Sequence, residues 1–262
     1  MKFLTYNISF DSYGGYQVFE KRINHVVDVI IKNDADIVAL QEVTPVSFMI
    51  LKDKLSKTYN FSKNMFLISY GCLLLSKYPI DINKSVQFKD TKMGRSLDYI
   101  SFNVEDKKYL VVNVHLESEF ARISKKKSKT PTELILQVVN KYSQYLTIFN
   151  EMEKYEDYNV IIMGDTNITE LEKDIFLVPN DYFDVFTLFD FPPIVKKNIE
   201  FTFDYVRNNR VMGKYRSRLD RIYIKKDKDI KPEDISSYEL VGCDYYEGKC
   251  PSDHFAIKID IS

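Results

Sequence analysis

The sequence contains no tryptophan and only three histidines, three cysteines, eight glycines and eight prolines in 262 residues. Without cysteine and histidine clusters at ligand spacing, a zinc site is disfavoured. Cys72, Cys243 and Cys250 are too few for a disulfide framework, so we expect free thiols in a reducing, intracellular compartment. Pairing of Cys243 and Cys250 across their short loop is the alternative.

Long apolar runs are also missing. No stretch approaches the roughly 18 residues that a membrane span requires, and Met1 to Asn7 lack the apolar core of a signal peptide. The net charge is −1, from 37 basic and 38 acidic residues, which excludes a globally basic nucleic-acid-binding coat but allows a local basic patch. We expect a monomer that does not associate with a membrane.

The remaining composition is that of a globular protein, with 45% hydrophobic and 29% charged residues, enough to bury a sizeable core. No internal repeat and no long Pro/Gly/Ser linker divides the chain. The only low-complexity segment, Ser124 to Lys129, is predicted to be a solvated loop. We therefore expect residues 1–262 to form a single domain.

Hydrophobic periodicity predicts more strands than helices. Helices are expected over 16–33, 45–55 and from Thr132 to about residue 154. Strands are expected over 2–7, 37–40, 64–69, 72–76, 84–89, 97–104, 109–116, 160–163, 219–224, 237–242 and 255–261. Several neighbouring strands are close enough to form hairpins, unlike the strict alternation of a doubly wound sheet. The pattern favours an α/β fold built as a four-layer sandwich, with two mixed β-sheets packed face to face and helices on the outside.

Polar residues cluster where the apolar strands end. These residues are Asn7, Gln41, Glu42, His115, Glu117, Ser118, Asp165, Asn167, Asp253 and His254. One carboxylate at a strand end is usually a turn or cap residue, but five such strand ends in one chain indicate a site. Carboxylates and amides without a Cys/His pair suit a hard cation, Mg²⁺ or alternatively Mn²⁺.

Six ordered motifs resemble those of the endonuclease/exonuclease/phosphatase superfamily. They are Thr5-Tyr6-Asn7, Leu40-Gln41-Glu42-Val43, Asn113-x-His115, Gly164-Asp165-x-Asn167, Arg218-Leu219-Asp220-Arg221-Ile222 and Ser252-Asp253-His254. The resemblance spans residues 5 to 254 and implies a metal-dependent phosphodiesterase or phosphatase with a four-layer α/β sandwich.

Two further stretches, Met93 to Leu97 and His115 to Ser118, are similar to the tyrosyl-DNA phosphodiesterase 2 branch of that superfamily. This similarity implies hydrolysis of the 5′-phosphotyrosyl bond between a protein tyrosine and the end of DNA, with RNA as an alternative strand. It also implies repair of topoisomerase II-type adducts in the nucleus or at sites of replication. The alternatives are an abasic-site endonuclease, a deadenylase, a sphingomyelinase, an inositol phosphatase, and a catalytically silent binding module on the same scaffold.

The resemblance also implies roles for individual residues. Glu42 is expected to hold the metal with Asp253 and Asn7 on the same side. Asp165 is expected to orient and deprotonate the attacking water, with Asn167 and Asn7 as hydrogen-bond donors.

The remaining expected roles concern the phosphate and the strand. His254 and His115 are expected to stabilise the transition state as charged imidazoles, with Asp220 as the carboxylate partner of His254. Arg95 and Ser118 are expected to contact the phosphate. The basic, aromatic segment from Tyr205 to Arg218 is expected to flank a single-stranded end, where Arg216 and Arg218 contact phosphates and the nearby Phe203 stacks on a base. A solvated hairpin is the alternative for this segment.

Overall fold

The computed structural model describes residues 1–11, 14–63, 69–89, 91–118, 130–226, 229–243 and 248–262. Its strands are β1 (Lys2–Asn7), β2 (Ile37–Val43), β3 (Asn60–Phe61), β4 (Gly71–Ser76), β5 (Ile82–Gln87), β6 (Ser96–Val104), β7 (Lys107–His115), β8 (Asn159–Asp165), β9 (Tyr182–Asp184), β10 (Phe203–Asp204), β11 (Arg216–Ser217), β12 (Asp220–Lys225), β13 (Ile235–Val241) and β14 (Ala256–Ile261). Its helices are α1 (Gly15–Asn33), α2 (Pro45–Leu55), α3 (Pro131–Met152) and α4 (Pro193–Ile199).

Most strands form two six-stranded sheets. The first sheet has the order β13-β14-β1-β2-β4-β3, and the second has the order β5-β6-β7-β8-β12-β9. Each sheet contains one parallel pair, β1 with β2 and β7 with β8, among antiparallel neighbours. The prediction of two mixed sheets is therefore confirmed.

Alternation of apolar side chains along the strands defines the layers. In β2, Ile37 and Ala39 join the core between the sheets, whereas Val38 and Leu40 pack beneath α1 and α2. In β7, the odd-numbered Val111 faces the inter-sheet core, while its neighbours face α3. Because side chains in a strand point alternately to opposite faces, strands covered on both sides become continuously apolar. The predicted α/β sandwich is confirmed.

The start of α3 differs from the expected one. Thr130 is the N-cap residue, its hydroxyl accepts a hydrogen bond from the backbone N–H of Glu133, and Pro131 occupies the first turn. The helix therefore begins at Pro131 rather than at Thr132, since a threonine before proline satisfies the exposed backbone donors of the first turn.

Several short elements have no strong periodic signal and were not expected. They are β3, β9, β10, β11 and α4, each only two to seven residues long. Pairing of β10 with β11 closes the segment from Tyr205 to Arg218 into a loop. The strand expected over 64–69 and the loop from Ser124 to Lys129 lie outside the described residues, apart from Ser69.

The expectation of free thiols at Cys243 and Cys250 is wrong. The two sulfurs are bonded, and the Cα atoms lie 4.8 Å apart. Cys72 is the free and buried cysteine. Within the described ranges, no helix combines the length and apolar character needed to cross a bilayer.

Candidate active site

The site lies where the two sheets meet at one edge. Gln41 of the first sheet donates to the Asn113 side chain of the second sheet at 2.7 Å, and Asn113 donates in turn to the carbonyl of Leu40 at 2.9 Å. All three residues are fully buried. Because buried polar groups must be paired, this exchange fixes how the strand ends of the two sheets face each other.

Glu42 reaches the cleft through an unusual backbone conformation. Its φ is +61°, in the left-handed region, and the pairing of β2 with β4 is irregular between Leu40 and Val43. A bulge of this kind reorients a side chain at the end of a strand. One carboxylate oxygen of Glu42 accepts the backbone N–H of Phe10 at 2.8 Å, and the other faces His115.

Gly164 allows the close approach of β8 to β7. Its φ is +145°, and a Cβ atom at this position would lie 2.1 Å from the carbonyl oxygen of Val114. No other residue fits there without displacing the strand. The next residue, Asp165, is thereby brought directly opposite His115 in the parallel register.

Asp165 is the centre of the hydrogen-bond network. Its Oδ2 atom accepts from Nδ2 of Asn7 at 2.9 Å, and its Oδ1 atom accepts from the backbone N–H of Asn167 at 2.9 Å. Nε2 of His115 lies 3.4 Å from Oδ2, and Nε2 of His254 lies 3.8 Å from it. Burial is the main cause of a raised pKa for Asp165, which makes it a stronger base than an exposed carboxylate.

His254 is held by Asp220, as expected. Nδ1 of the ring lies 2.8 Å from Oδ2 of Asp220, which stands opposite Asp165 in the antiparallel pairing of β12 with β8. Burial lowers the pKa of His254, but the attraction of Asp220 and Asp165 outweighs it, and the resulting pKa is well above its usual value. His254 is therefore the charged imidazole of the site.

His115 differs from the expectation of a second charged imidazole. Burial, followed by the positive charges of Arg95 and His254, holds the pKa of His115 well below its usual value. Its Nδ1 atom is in hydrogen-bond contact with the guanidinium of Arg95. Since an arginine can only donate, Nδ1 is the acceptor and Nε2 carries the hydrogen that faces Asp165 and Glu42.

The donor set fits a hard divalent cation. Burial and then the negative charge of Asp253 raise the pKa of Glu42, so two carboxylates of the same cleft repel one another. A cation bound between them would relieve this repulsion, and carboxylate oxygens are the ligands that Mg²⁺ prefers. Asn7, also expected on the metal side, directs its amide nitrogen to Asp165, while its oxygen accepts the N–H of Ser9.

A second group could also hold a metal ion. Ligand atoms of Asp165, Asp220 and His254 lie within 4.8 Å of one another. Two of these residues already contact each other at 2.8 Å.

Most of the predicted site residues line a cleft of about 360 Å³, whereas Asn7 and Asp220 are not among its lining residues. Of the expected site residues, it is lined by Glu42, Arg95, His115, Ser118, Asp165, Asn167, Phe203, Asp253 and His254. The ring of Phe203 meets that of His254 edge-on, 5.1 Å away between centroids, so Phe203 forms one wall beside the reacting centre.

Arg216 and Arg218 are not brought into this cleft. Arg216 pairs with Asp204, with Nε 2.8 Å from Oδ1, and Arg218 makes two hydrogen bonds to Asp184 at 2.8 and 2.9 Å. The attraction of Asp184 raises the pKa of Arg218 despite its burial. Both guanidinium groups therefore contribute to holding the loop that ends at β11.

Aromatic residues at the mouth of the cleft were not expected. Tyr70 stacks on Phe10 with centroids 4.8 Å apart and an interplanar angle of 8°, and the guanidinium of Arg95 lies 5.2 Å from the Tyr70 ring. Phe10 is 49% exposed, so part of its ring is accessible at the mouth of the cleft. The sequence places these residues in loops after β1 and before β4, where no periodic pattern marks them.

Glu117 and α3 support the residues of the cleft from behind. Oε1 of Glu117 accepts from the hydroxyl of Thr91 and the N–H of Lys92, both at 2.7 Å, and so shapes the loop that carries Arg95. Nζ of Lys141 donates to the carbonyl of Asn167 at 2.6 Å.

The charge of Lys141 is balanced within the same region. It pairs with Glu172, whose carboxylate oxygens lie 2.7 and 2.8 Å from Nζ, although the lysine is only 1% exposed. A lysine is rarely fully buried, but the burial of Lys141 is visible only in the structure. No pattern in the sequence therefore indicates this supporting role.

The sequence profile of the Endonuclease/Exonuclease/phosphatase family matches residues 4–254. The chain belongs to this family. No curated protein matches the sequence. Membership supports a phosphoesterase, and the predicted superfamily is confirmed.

Solved structures with the same fold cover the whole chain. TDP2 from D. rerio, complexed with single strand DNA product, has a TM-score of 0.81 at 19% identity over 100% of this chain and 98% of its own. Truncated TDP2 from Caenorhabditis elegans has a TM-score of 0.78 at 20% identity, with 100% and 97% covered. Sphingomyelinase C from Streptomyces griseocarneus has a TM-score of 0.72 at 19% identity, with 100% and 99% covered.

Proposed function

We propose that this chain is a Mg²⁺-dependent phosphodiesterase, with Mn²⁺ as an alternative metal, that hydrolyses the bond between a protein tyrosine and the 5′ phosphate of DNA. RNA is the alternative strand, and residues 1–262 form the catalytic domain. The observation that carries the proposal is that Arg95, a charged imidazole at His254 and the buried base Asp165 line one cleft. The likeness in fold to a TDP2 structure that contains single strand DNA product supports the choice of strand.

The chain's own residues account for the steps of an in-line hydrolysis. Asp165, fixed by Asn7 and Asn167, accepts a proton from the attacking water. His254 donates from Nε2 to a phosphoryl oxygen, with its orientation fixed by Asp220. Arg95 and Ser118 line the same cleft and bind the remaining oxygens.

Glu42 and Asp253 would hold the metal, which supplies positive charge to the phosphoryl oxygens and to the leaving group. Tyrosinate is a good leaving group because the pKa of a phenol is about 10, so full protonation is unnecessary. The aromatic surface of Phe10, Tyr70 and Phe203 around the cleft suits both a nucleobase and a tyrosyl ring.

A gel assay with matched substrates tests the proposal. A 5′-phosphotyrosyl oligonucleotide is incubated with Mg²⁺ and with EDTA beside an abasic-site duplex, an RNA version and sphingomyelin. We expect Mg²⁺-dependent release of tyrosine from DNA, leaving a 5′ phosphate, while the abasic strand and the lipid stay intact. If another phosphodiester were cleaved while the tyrosyl end stayed intact, the chain would still be a phosphoesterase, but the proposed substrate would be wrong.

A further inference from the structure

A second pocket, distinct from the catalytic cleft, lies between α1 and the loop that leads to the catalytic Asp253 and His254. It has a volume of about 350 Å³. Four residues of α1 at helical spacing form one wall, and Arg210, Lys249 and the following two residues form the other. The α1 residues are Val18, Lys21, Arg22 and His25. We call this space the α1 pocket.

The α1 pocket is strongly cationic in a protein of net charge −1. Among the described residues, its lining includes two lysines, two arginines and a histidine but no carboxylate. Asp11 lies beside it, 3.6 Å from Arg210. This concentration of basic side chains around one pocket is an environment for an anion.

Arg22 contributes a buried positive charge, and its guanidinium is held by backbone carbonyls. The side chain is 7% exposed, and its guanidinium donates to four backbone carbonyls. The acceptors are those of Ile8, Ser9, Asp11 and Pro251. Burial, followed by the repulsion of Arg210, lowers the pKa of Arg22 to about 10. Carbonyl groups satisfy the hydrogen bonds of a buried cation without cancelling its charge.

The same hydrogen bonds connect the α1 pocket to the catalytic cleft. Ile8 directly follows Asn7, and Pro251 lies two residues before Asp253. Arg22 is therefore hydrogen-bonded to two loops. One loop follows Asn7, and the other contains Pro251, which lines the pocket, and Asp253, which lines the cleft. The stretch from Cys250 to His254 thus contributes residues to both the pocket and the cleft.

Arg210 is the residue of the basic segment from Tyr205 to Arg218 that faces this pocket. Arg216 and Arg218 of that segment are paired with Asp204 and Asp184. We therefore assign the phosphate contact expected of this segment to Arg210. Its Nε atom donates to the carbonyl of Cys250 at 3.1 Å, which holds the side chain at the pocket.

We propose that the α1 pocket binds a backbone phosphate of the nucleic-acid strand, remote from the phosphate that reacts in the cleft. This inference rests on the proposed function and extends it, since it predicts that affinity rises with strand length. A free phosphate or pyrophosphate has the same ligand chemistry, so the experiment must distinguish it from a strand.

The test replaces the two exposed lysines of the pocket, Lys21 and Lys249, by glutamine in one double variant. The control double variant, with Lys57→Gln and Lys196→Gln, makes the same charge change at exposed lysines outside the pocket. Binding of 3′-labelled, 5′-hydroxyl single strands, a dinucleotide and a dodecanucleotide, is followed by fluorescence anisotropy over a salt series. Because no bond is cleaved, the result does not depend on the identity of the substrate bond.

We expect the wild-type protein and the control to bind the longer strand more tightly than the shorter one. The pocket variant should lose most of that gain, and its slope of log Kd against log salt should be shallower by about 0.7, the contribution of one neutralised phosphate of a single strand. Equal slopes in the pocket and control variants would overturn the proposal.

Pyrophosphate alone separates the two sources of phosphate. If it raises the Tm of the wild-type protein but not of the pocket variant, while the strand-length gain is unchanged in that variant, the site binds free phosphate and the strand assignment is wrong. If the slope changes as expected but the tyrosyl oligonucleotide is not hydrolysed, the strand path stands and the proposed substrate bond is overturned.

Discussion

Nδ1 of His254 lies 2.8 Å from Oδ2 of Asp220, and both side chains are almost completely buried. The contact joins the loop before β14 to the start of β12, which belongs to the other sheet. It fixes the ring so that the opposite nitrogen faces Asp165 at 3.8 Å. The orientation of the charged imidazole is thus set by a residue that does not line the cleft.

Asp220→Asn should lower kcat by roughly 30-fold, because a hydrogen bond to a charged group contributes about 2 kcal/mol. KM for the tyrosyl oligonucleotide should change little, since the phosphate contacts of Arg95 remain. Asp36→Asn is the control, because Asp36 is a hydrogen-bonded carboxylate next to the opposite end of β2. Equal losses in both variants would attribute the effect to general destabilisation.

Asp165→Asn should abolish turnover while leaving the fold and DNA affinity nearly intact. The amide has nearly the same shape, and its single oxygen can still accept one of the two hydrogen bonds from Asn7 and Asn167, but it cannot take a proton at neutral pH. A loss of about 10³-fold or more is expected for a positioned general base. Single-turnover rates and anisotropy measure the two properties separately, and normal turnover would show that another group is the base.

Arg95→Ala should weaken binding of a 5′-adducted single strand and reduce its salt slope by about 0.7, the contribution of one phosphate contact. The variant also removes the hydrogen bond to Nδ1 of His115, so kcat should fall as well. Lys57→Ala removes an exposed positive charge outside the cleft and serves as the control. An unchanged slope would place Arg95 away from the phosphate.

Glu42→Gln tests the metal site without relying on turnover. The amide can still accept the N–H of Phe10 but no longer repels Asp253, so the protein should be at least as stable as wild type in EDTA. It should lose the rise in Tm that Mg²⁺ or Mn²⁺ produces in the wild type, because binding of a ligand to the folded state is what stabilises it. A metal-induced shift equal to that of Asp36→Asn would place the ion elsewhere, with the group around Asp220 as the next position to test.

The sequence predicts those parts of this protein that local pattern determines. Apolar runs locate β1, β7, β8 and β12, and polar residues at the ends of these runs, such as His115 and Asp165, do reach one cleft. What could not be predicted depends on partners distant in sequence. For example, the guanidinium of Arg218 is hydrogen-bonded to Asp184, which lies 34 residues away in the sequence.

Backbone conformation could not be predicted from the sequence either. Nothing in the order of residues indicates that Glu42 adopts a left-handed φ of +61° at a bulge. The lowered pKa of His115 likewise depends on its burial and then on Arg95, which lies in the loop just before β6. Motifs thus indicate which residue types meet, whereas their charges and orientations depend on contacts that only the fold supplies.

Lys141 should act as a positioning residue for Asn167. Lys141→Met removes the donor to the Asn167 carbonyl and leaves Glu172 as an unpaired buried carboxylate, which should cost about 3–5 kcal/mol of stability. The double variant with Glu172→Gln restores neutrality and should recover most of that loss, as measured by urea unfolding.

The double variant separates stability from positioning. Asn167 has a left-handed φ of +51°, and its backbone N–H supports the base Asp165, so loss of the lysine should still lower kcat with KM nearly unchanged. A purely structural ion pair would instead give a stable double variant with wild-type kcat. That result would mean that the hydrogen bond from Asn167 to the carbonyl of Leu116, at 3.0 Å, is sufficient to hold the loop.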